Sequence, residues 1–159
     1  MRRYPSDRIM AGLVLIVLSL VVPVAGAQEP AEWYHEEAAE AIRAERYDRA
    51  VEILQRAQSE YPDTPEFFMR LGDLYYDEEL YGLALAEYLE AEKRDPSSYE
   101  VLEAAAFTLG LLNRERESAA YWRRLVDLYP DRIEPTQNLG WLLFKLHRLE
   151  EGISLLLSA

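Results

Sequence analysis

The chain has 159 residues, with 17 basic and 29 acidic side chains, a formal net charge of −12, half of its residues apolar and no cysteine. That length fits one domain with enough apolar material for a core. The acidic balance repels phosphate backbones and argues against a nucleic-acid partner, while the absence of thiols excludes disulfides, thiolate zinc sites, cysteine nucleophiles and a diacylated lipoprotein anchor.

Residues 1–27 resemble a secretory signal peptide. Arg2, Arg3 and Arg8 make a positive start, Ile9 to Val22 form an apolar run, and Ala25-Gly26-Ala27 fits the small-x-small cleavage rule. The run is too short to span a bilayer comfortably, so cleavage before Gln28 is expected in preference to a permanent anchor. Membrane contact is then confined to a transient leader. Tyr-Pro-Ser after Arg2-Arg3, and the greasiness of the run, favour the general export route over the twin-arginine route. Export into a bacterial periplasm, or secretion, follows as an expectation. Removing the leader, which holds Asp7 besides the three arginines, leaves 14 basic and 28 acidic residues and a net of −14.

Residues 28–30 read as a linker, and four units of 34 residues follow in register. The first, 31–64, predicts helices near 31–45 and 47–60 and carries Glu37 where the later copies have Leu71, Ala105 and Leu139. A charge there suits an end repeat facing water. The second, 65–98, predicts helices near 65–79 and 81–94. The third, 99–132, keeps Leu102, Ala106, Leu109, Ser118, Trp122 and Pro130 but is degenerate at its inner turn, Asn113-Arg114-Glu115. The fourth, 133–159, restores the pattern with Asn138-Leu139-Gly140, Leu143 and Gly152 but is incomplete. Pro62, Pro96 and Pro130 mark the unit ends.

The units share a mechanical feature. Where helices cross, side chains must be small for the backbones to approach. The eighth positions are Ala38, Gly72, Ala106 and Gly140, the twentieth Ala50, Ala84, Ser118 and Gly152, and the twenty-seventh Ala57, Ala91, Leu125 and Ala159. Only Leu125 departs from Gly, Ala or Ser. Apolar periodicity, prolines at boundaries and no alternating Val/Ile/Thr-rich run predict an all-α fold.

In the second unit Phe68, Leu71, Gly72, Tyr75, Ala84, Tyr88 and Pro96 fall on the pattern aromatic-x2-Leu-Gly-x2-Tyr, Ala-x3-aromatic, Pro. The chain therefore resembles the tetratricopeptide repeat (TPR) family. The resemblance implies a right-handed helical solenoid of antiparallel helix pairs that acts as a scaffold or adaptor for other proteins, here in the cell envelope. Two alternatives stay open: the amino-terminal part of a larger repeat protein whose activity lies downstream, or a module that self-assembles into a homo-oligomer through the apolar edge Ile153 to Leu157.

No catalytic constellation accompanies the repeats. His35 and His147 sit in different units, no phosphate-binding glycine loop, serine elbow or HExxH helix occurs, and acidic runs such as Glu36-Glu37 and Asp77-Glu78-Glu79 read as solvated faces. A non-enzyme without cofactor or metal is expected.

In the family, the first helix of each pair lines a concave surface, which places Glu32, Glu66, Glu100 and Glu134 in a ladder, with Asp73, Tyr76, Asp77, Phe107, Asn138, Trp141 and Phe144 as the candidate protein- or peptide-binding residues. An acidic amino-terminal half and an aromatic carboxy-terminal half imply a basic or basic-apolar peptide. The ladder also has a local explanation, since Glu in a first helical turn complements the backbone dipole by about 0.3–1 kcal/mol. The Lys, Arg and Asn clamp of chaperone-binding family members is missing, its places being held by His35, Ala39, Arg70, Glu100 and Ala104.

Overall fold

The computed structural model describes residues 29–158, so the expected leader and Ala159 lie outside the described residues. Eight helices follow one another: α1 (Ala31–Arg43), α2 (Tyr47–Glu60), α3 (Pro65–Asp77), α4 (Tyr81–Arg94), α5 (Tyr99–Leu111), α6 (Glu115–Leu128), α7 (Ile133–Lys145) and α8 (Leu149–Ser158). Starts of the odd-numbered helices fall 34 residues apart, as do those of the even-numbered ones. No strand occurs among the described residues. Each helix packs mainly on the one before and the one after it, the arrangement of a solenoid in which each repeat contacts its neighbouring repeats.

α1 and α3 end two residues before the expected 45 and 79, and the backbone gives the reason. Glu45, Glu79, Asn113 and His147 take positive φ of 57°, 59°, 57° and 58°, which a helix cannot continue through. Glu45 N–H donates to Ile42 O and Arg46 N–H to Ala41 O, both at 2.9 Å, the Schellman pairing that satisfies the last carbonyls of a helix. The second of these bonds recurs as Leu80 to Tyr75, Arg114 to Leu109 and Arg148 to Leu143. Between units, Pro62, Pro96 and Pro130 follow Tyr61, Asp95 and Tyr129, whose φ of −128° to −131° and positive ψ leave the α region that a following proline disfavours. Pro65 opens α3 and Pro135 is buried in the first turn of α7, positions where a missing N–H would have had no intrahelical acceptor.

All eleven described crossing residues are buried. A Cβ on Gly140 would lie 3.2 Å from Leu156, and one on Gly152 would lie 3.4 Å from the Gly140 carbonyl, so both glycines of the last pair sit at the contact itself. Ser118 also uses its polarity, its buried hydroxyl donating to Ala106 O at 2.7 Å across the helix pair. Leu125, the exception, is fully buried. Tyr34 shares a cluster with Ala57, and Phe68 with Ala91, whereas Leu102 shares one with Leu125. The third unit has exchanged a large-small pair for two of middle size, a swap that keeps volume and is therefore tolerated. Glu37 is half-buried on the outer side of α1, where its counterparts Leu71, Ala105 and Leu139 are in the core.

A candidate peptide-binding face on the first helices

The seam side of α3, α5 and α7 is filled by Leu71, Leu109, Leu139 and Leu143, which leaves the opposite flank of the same helices to solvent. Phe107, Trp141 and Phe144 sit there, 47%, 63% and 56% exposed. Phe107 stands edge-on against Trp122, ring centroids 4.8 Å apart at 85°, and Trp141 stacks on Phe144 at 5.7 Å and 21°. Trp122 is buried, so Phe107 rests on a fixed floor.

Two adjoining hollows occupy this face. One, of about 320 Å³, is bounded by Met69, Asp73, Tyr76, Tyr88, Glu100, Glu103, Ala104 and Phe107. The other, of about 260 Å³, is bounded by Tyr76 and Phe107 again, with Leu111, Trp122, Asn138, Trp141 and Lys145 among its walls. Of the seven expected residues, the geometry thus gathers Asp73, Tyr76, Phe107, Asn138 and Trp141 around the hollows. Asp77 and Phe144 border neither; Asp77 is exposed at the end of α3, and Phe144 meets the group only through Trp141.

The electrostatics divide along the same line. Asp73 Oδ1 accepts from the Tyr88 hydroxyl at 2.9 Å. Although Asp73 is exposed as a residue, the groups crowded around its carboxyl desolvate it and push it above its ordinary value, opposed by the Tyr88 hydrogen bond, reinforced by Asp77 and opposed again by Arg70. The Tyr88 phenol is pushed up by burial and by the Asp73 charge, so it stays a donor. Glu103 and Glu134 lie 3.1 and 3.4 Å from the Tyr99 hydroxyl, and Glu100 accepts from Ser98 at 3.3 Å. None of Glu66, Asp73, Asp77, Glu100, Glu103 and Glu134 joins an ion pair among the described residues. The carboxylates that do pair, apart from Glu40, belong to the second helices: Glu52 and Glu60, Glu90 and Glu92, Glu115 and Glu117, and Glu151.

Sequence reasoning missed Trp122 as the floor, and Leu111 and Lys145 as walls. Trp122 occupies the pattern's second-helix aromatic position, which reads as seam. The two histidines are apart as expected: His35 stacks on Phe67 at 4.4 Å, and His147 is in the turn after α7. Among the described residues no cluster of three or more His, Cys, Asp or Glu could hold a metal ion, and no helix is long and apolar enough to cross a membrane.

Four antiparallel helix pairs with small residues at recurrent crossings define the class: an all-α helical solenoid of the tetratricopeptide type. Residues 35–99 match the tetratricopeptide repeat family. No curated protein matches the sequence. Among solved structures, MamA of strain AMB-1 superposes with a TM-score of 0.69 at 19% identity over 79% of this chain and 69% of that one. MamA from Desulfovibrio magneticus RS-1, residues 41 to the end, gives 0.68 at 16% identity over 81% and 73%. The first TPR domain of Spaghetti (RPAP3), bound to the HSP90 peptide SRMEEVD, gives 0.66 at 17% over 74% and 93%. At these identities the likeness is one of fold.

Proposed function

We propose that this chain is a non-catalytic scaffold or adaptor that captures a segment of another protein on the first-helix face, and that it works in the bacterial cell envelope after export by its amino-terminal leader. The observation that carries the reading is the half-exposed aromatic group of Phe107, resting on Trp122, and the Trp141–Phe144 stack, left over once the seam is filled. Rigid aromatic side chains offer a large contact area with little ordering on binding, which is why they concentrate binding energy at interfaces. A domain of similar fold bound to a peptide supports an extended or helical segment as the ligand. That peptide's acidic Glu-Glu-Val-Asp end would meet Glu100 here, so this chain is expected to take a basic or basic-apolar segment instead.

Affinity capture from the native envelope, with Phe107→Ala/Trp141→Ala as the comparison, tests the proposal. Loss of a captured protein with helical circular dichroism unchanged supports it; equal capture by both forms removes the assignment of this face.

A second reading, self-association along α8, draws on the exposed Leu149, Ile153, Leu156 and Leu157. Sedimentation of the chain over a wide concentration range tests it, and a constant monomer mass dismisses it.

A further inference from the structure

The two hollows differ in chemistry and share a wall, and that juxtaposition specifies a ligand more narrowly than acidity alone. This step rests on the first-helix face being the binding surface. The larger hollow has Asp73, Glu100 and Glu103 among its walls and no basic residue. The cation that acts on Asp73 is Arg70, whose pull is opposed by Asp77. The smaller hollow is walled mainly by Phe107, Leu111, Trp122 and Trp141, and its one cation, Lys145, is already directed to Glu115 at 3.5 Å. Tyr76 and Phe107 separate the two hollows and face both.

We propose that the face is a two-part site for a peptide carrying a Lys or Arg close in sequence to a large apolar side chain, the cation entering among Asp73, Glu100 and Glu103 and the apolar group lying between Phe107 and Trp141. Three features favour this occupant over an acidic or a purely apolar one. The carboxylates of this face lack the ion pairs that most of the second-helix carboxylates have among the described residues, which leaves their charge available to a cation. An acidic segment would bring like charges together in this hollow, a juxtaposition that disfavours such a partner. The aromatic rings at the boundary suit the aliphatic stem of a Lys or Arg, whose charged head can then reach past them. Because the hollows adjoin, the two side chains must stand within roughly four residues of each other, the reach of one helical turn or of alternate positions on a strand.

The test is selection of binders to the chain from a random 12-residue peptide library displayed on phage. Enrichment of Lys or Arg within that spacing of Leu, Phe or Trp is expected, together with shifts of the Trp141 and Trp122 indole N–H resonances on adding a selected synthetic peptide. Asp73→Asn/Glu103→Gln should weaken that peptide at least tenfold while leaving an analogue with its cation replaced by norleucine unchanged, and Trp141→Ala should weaken both. Selected peptides that are acidic or uncharged, yet still shift the indoles, overturn the two-part site and leave the face as a binding surface. Selected peptides insensitive to Phe107→Ala/Trp141→Ala overturn both, and a selection that enriches nothing overturns the two-part site.

Discussion

The Tyr88 ring lies so close over Gly72 that a Cβ added to residue 72 would stand 2.5 Å from Cε1 and 2.7 Å from Cδ1. Tyr88 is buried, and its hydroxyl is tied to Asp73 at 2.9 Å, so the ring has little room to retreat. Absence of one side chain on α3 therefore lets α4 pack closely and, through the same ring, holds the Asp73 carboxylate in place at the edge of the hollow.

Gly72→Ala is expected to destabilise the chain by about 1–3 kcal/mol, the range for overpacking a close contact. Gly82 serves as the control: nothing lies within 4 Å of its added Cβ, so Gly82→Ala should stabilise by up to about 1 kcal/mol through helix propensity. Urea unfolding of the two variants checks both signs. Restoring stability in Gly72→Ala by adding Tyr88→Leu would place the fault at this contact.

Glu79 takes a φ of 59° at the turn between α3 and α4, where an L side chain is strained and glycine is not. Glu79→Gly should raise stability by about 0.5–1 kcal/mol, the strain relieved less the entropy glycine adds to the unfolded chain. Asn113 sits at the equivalent turn but tolerates this region better, so Asn113→Gly should gain less. Comparison of the two denaturation midpoints decides it.

The two tryptophans of the candidate site should behave oppositely. Trp122 is buried beneath Phe107, and Trp122→Ala is expected to cost about 3–5 kcal/mol. Trp141 is 63% exposed, and Trp141→Ala should cost under about 1 kcal/mol, having little burial to lose. Thermal denaturation separates a residue that builds the face from one that is offered by it. A large loss for Trp141→Ala would mean the ring is structural.

His35 predicts a loss of stability in mild acid. Burial is the main cause holding its pKa below 6.5, Arg70 acts the same way, and Glu66 and Glu32 oppose them; its Nδ1 is buried with no partner among the described residues. As pH falls below about 6.5 the unfolded imidazole takes a proton that the folded one resists, so stability drops through that window and levels off once pH passes below the folded pKa. His35→Phe, which keeps a ring against Phe67, should abolish this part of the pH dependence. Denaturation midpoints between pH 7.5 and 5 measure it, and identical slopes for both chains would exclude the histidine as the cause.

The 34-residue register, the pairing of helices and the crossing positions were legible in the sequence because each depends on local periodicity and on side-chain size, both of which a linear string records. Gly72, Ala84 and Ala91 are assignable to contacts from the sequence, since small residues recur at those repeat positions and a glycine recurring at one of them inside a helix costs stability unless something must come close. Helix ends were legible only to within two residues, because Glu45 and Glu79 carry no sequence mark of a left-handed conformation; the Schellman hydrogen bonds impose it. Much of the aromatic group was also readable, as residues in excess of what the seam needs.

What the linear order could not give is which side chains on different helices come to share a surface. Trp122 looks like seam by its position and becomes the floor of a hollow because α5 lays Phe107 across it. Asp73 and Glu103 belong to different repeats, and it is the stacking of α3 on α4 and of α4 on α5 that brings them to one cavity while most second-helix carboxylates find a Lys or Arg. Sequence fixes the repeating unit through interactions within a helix pair; the angle at which successive pairs nest, a collective outcome of packing, decides which exposed groups share a surface.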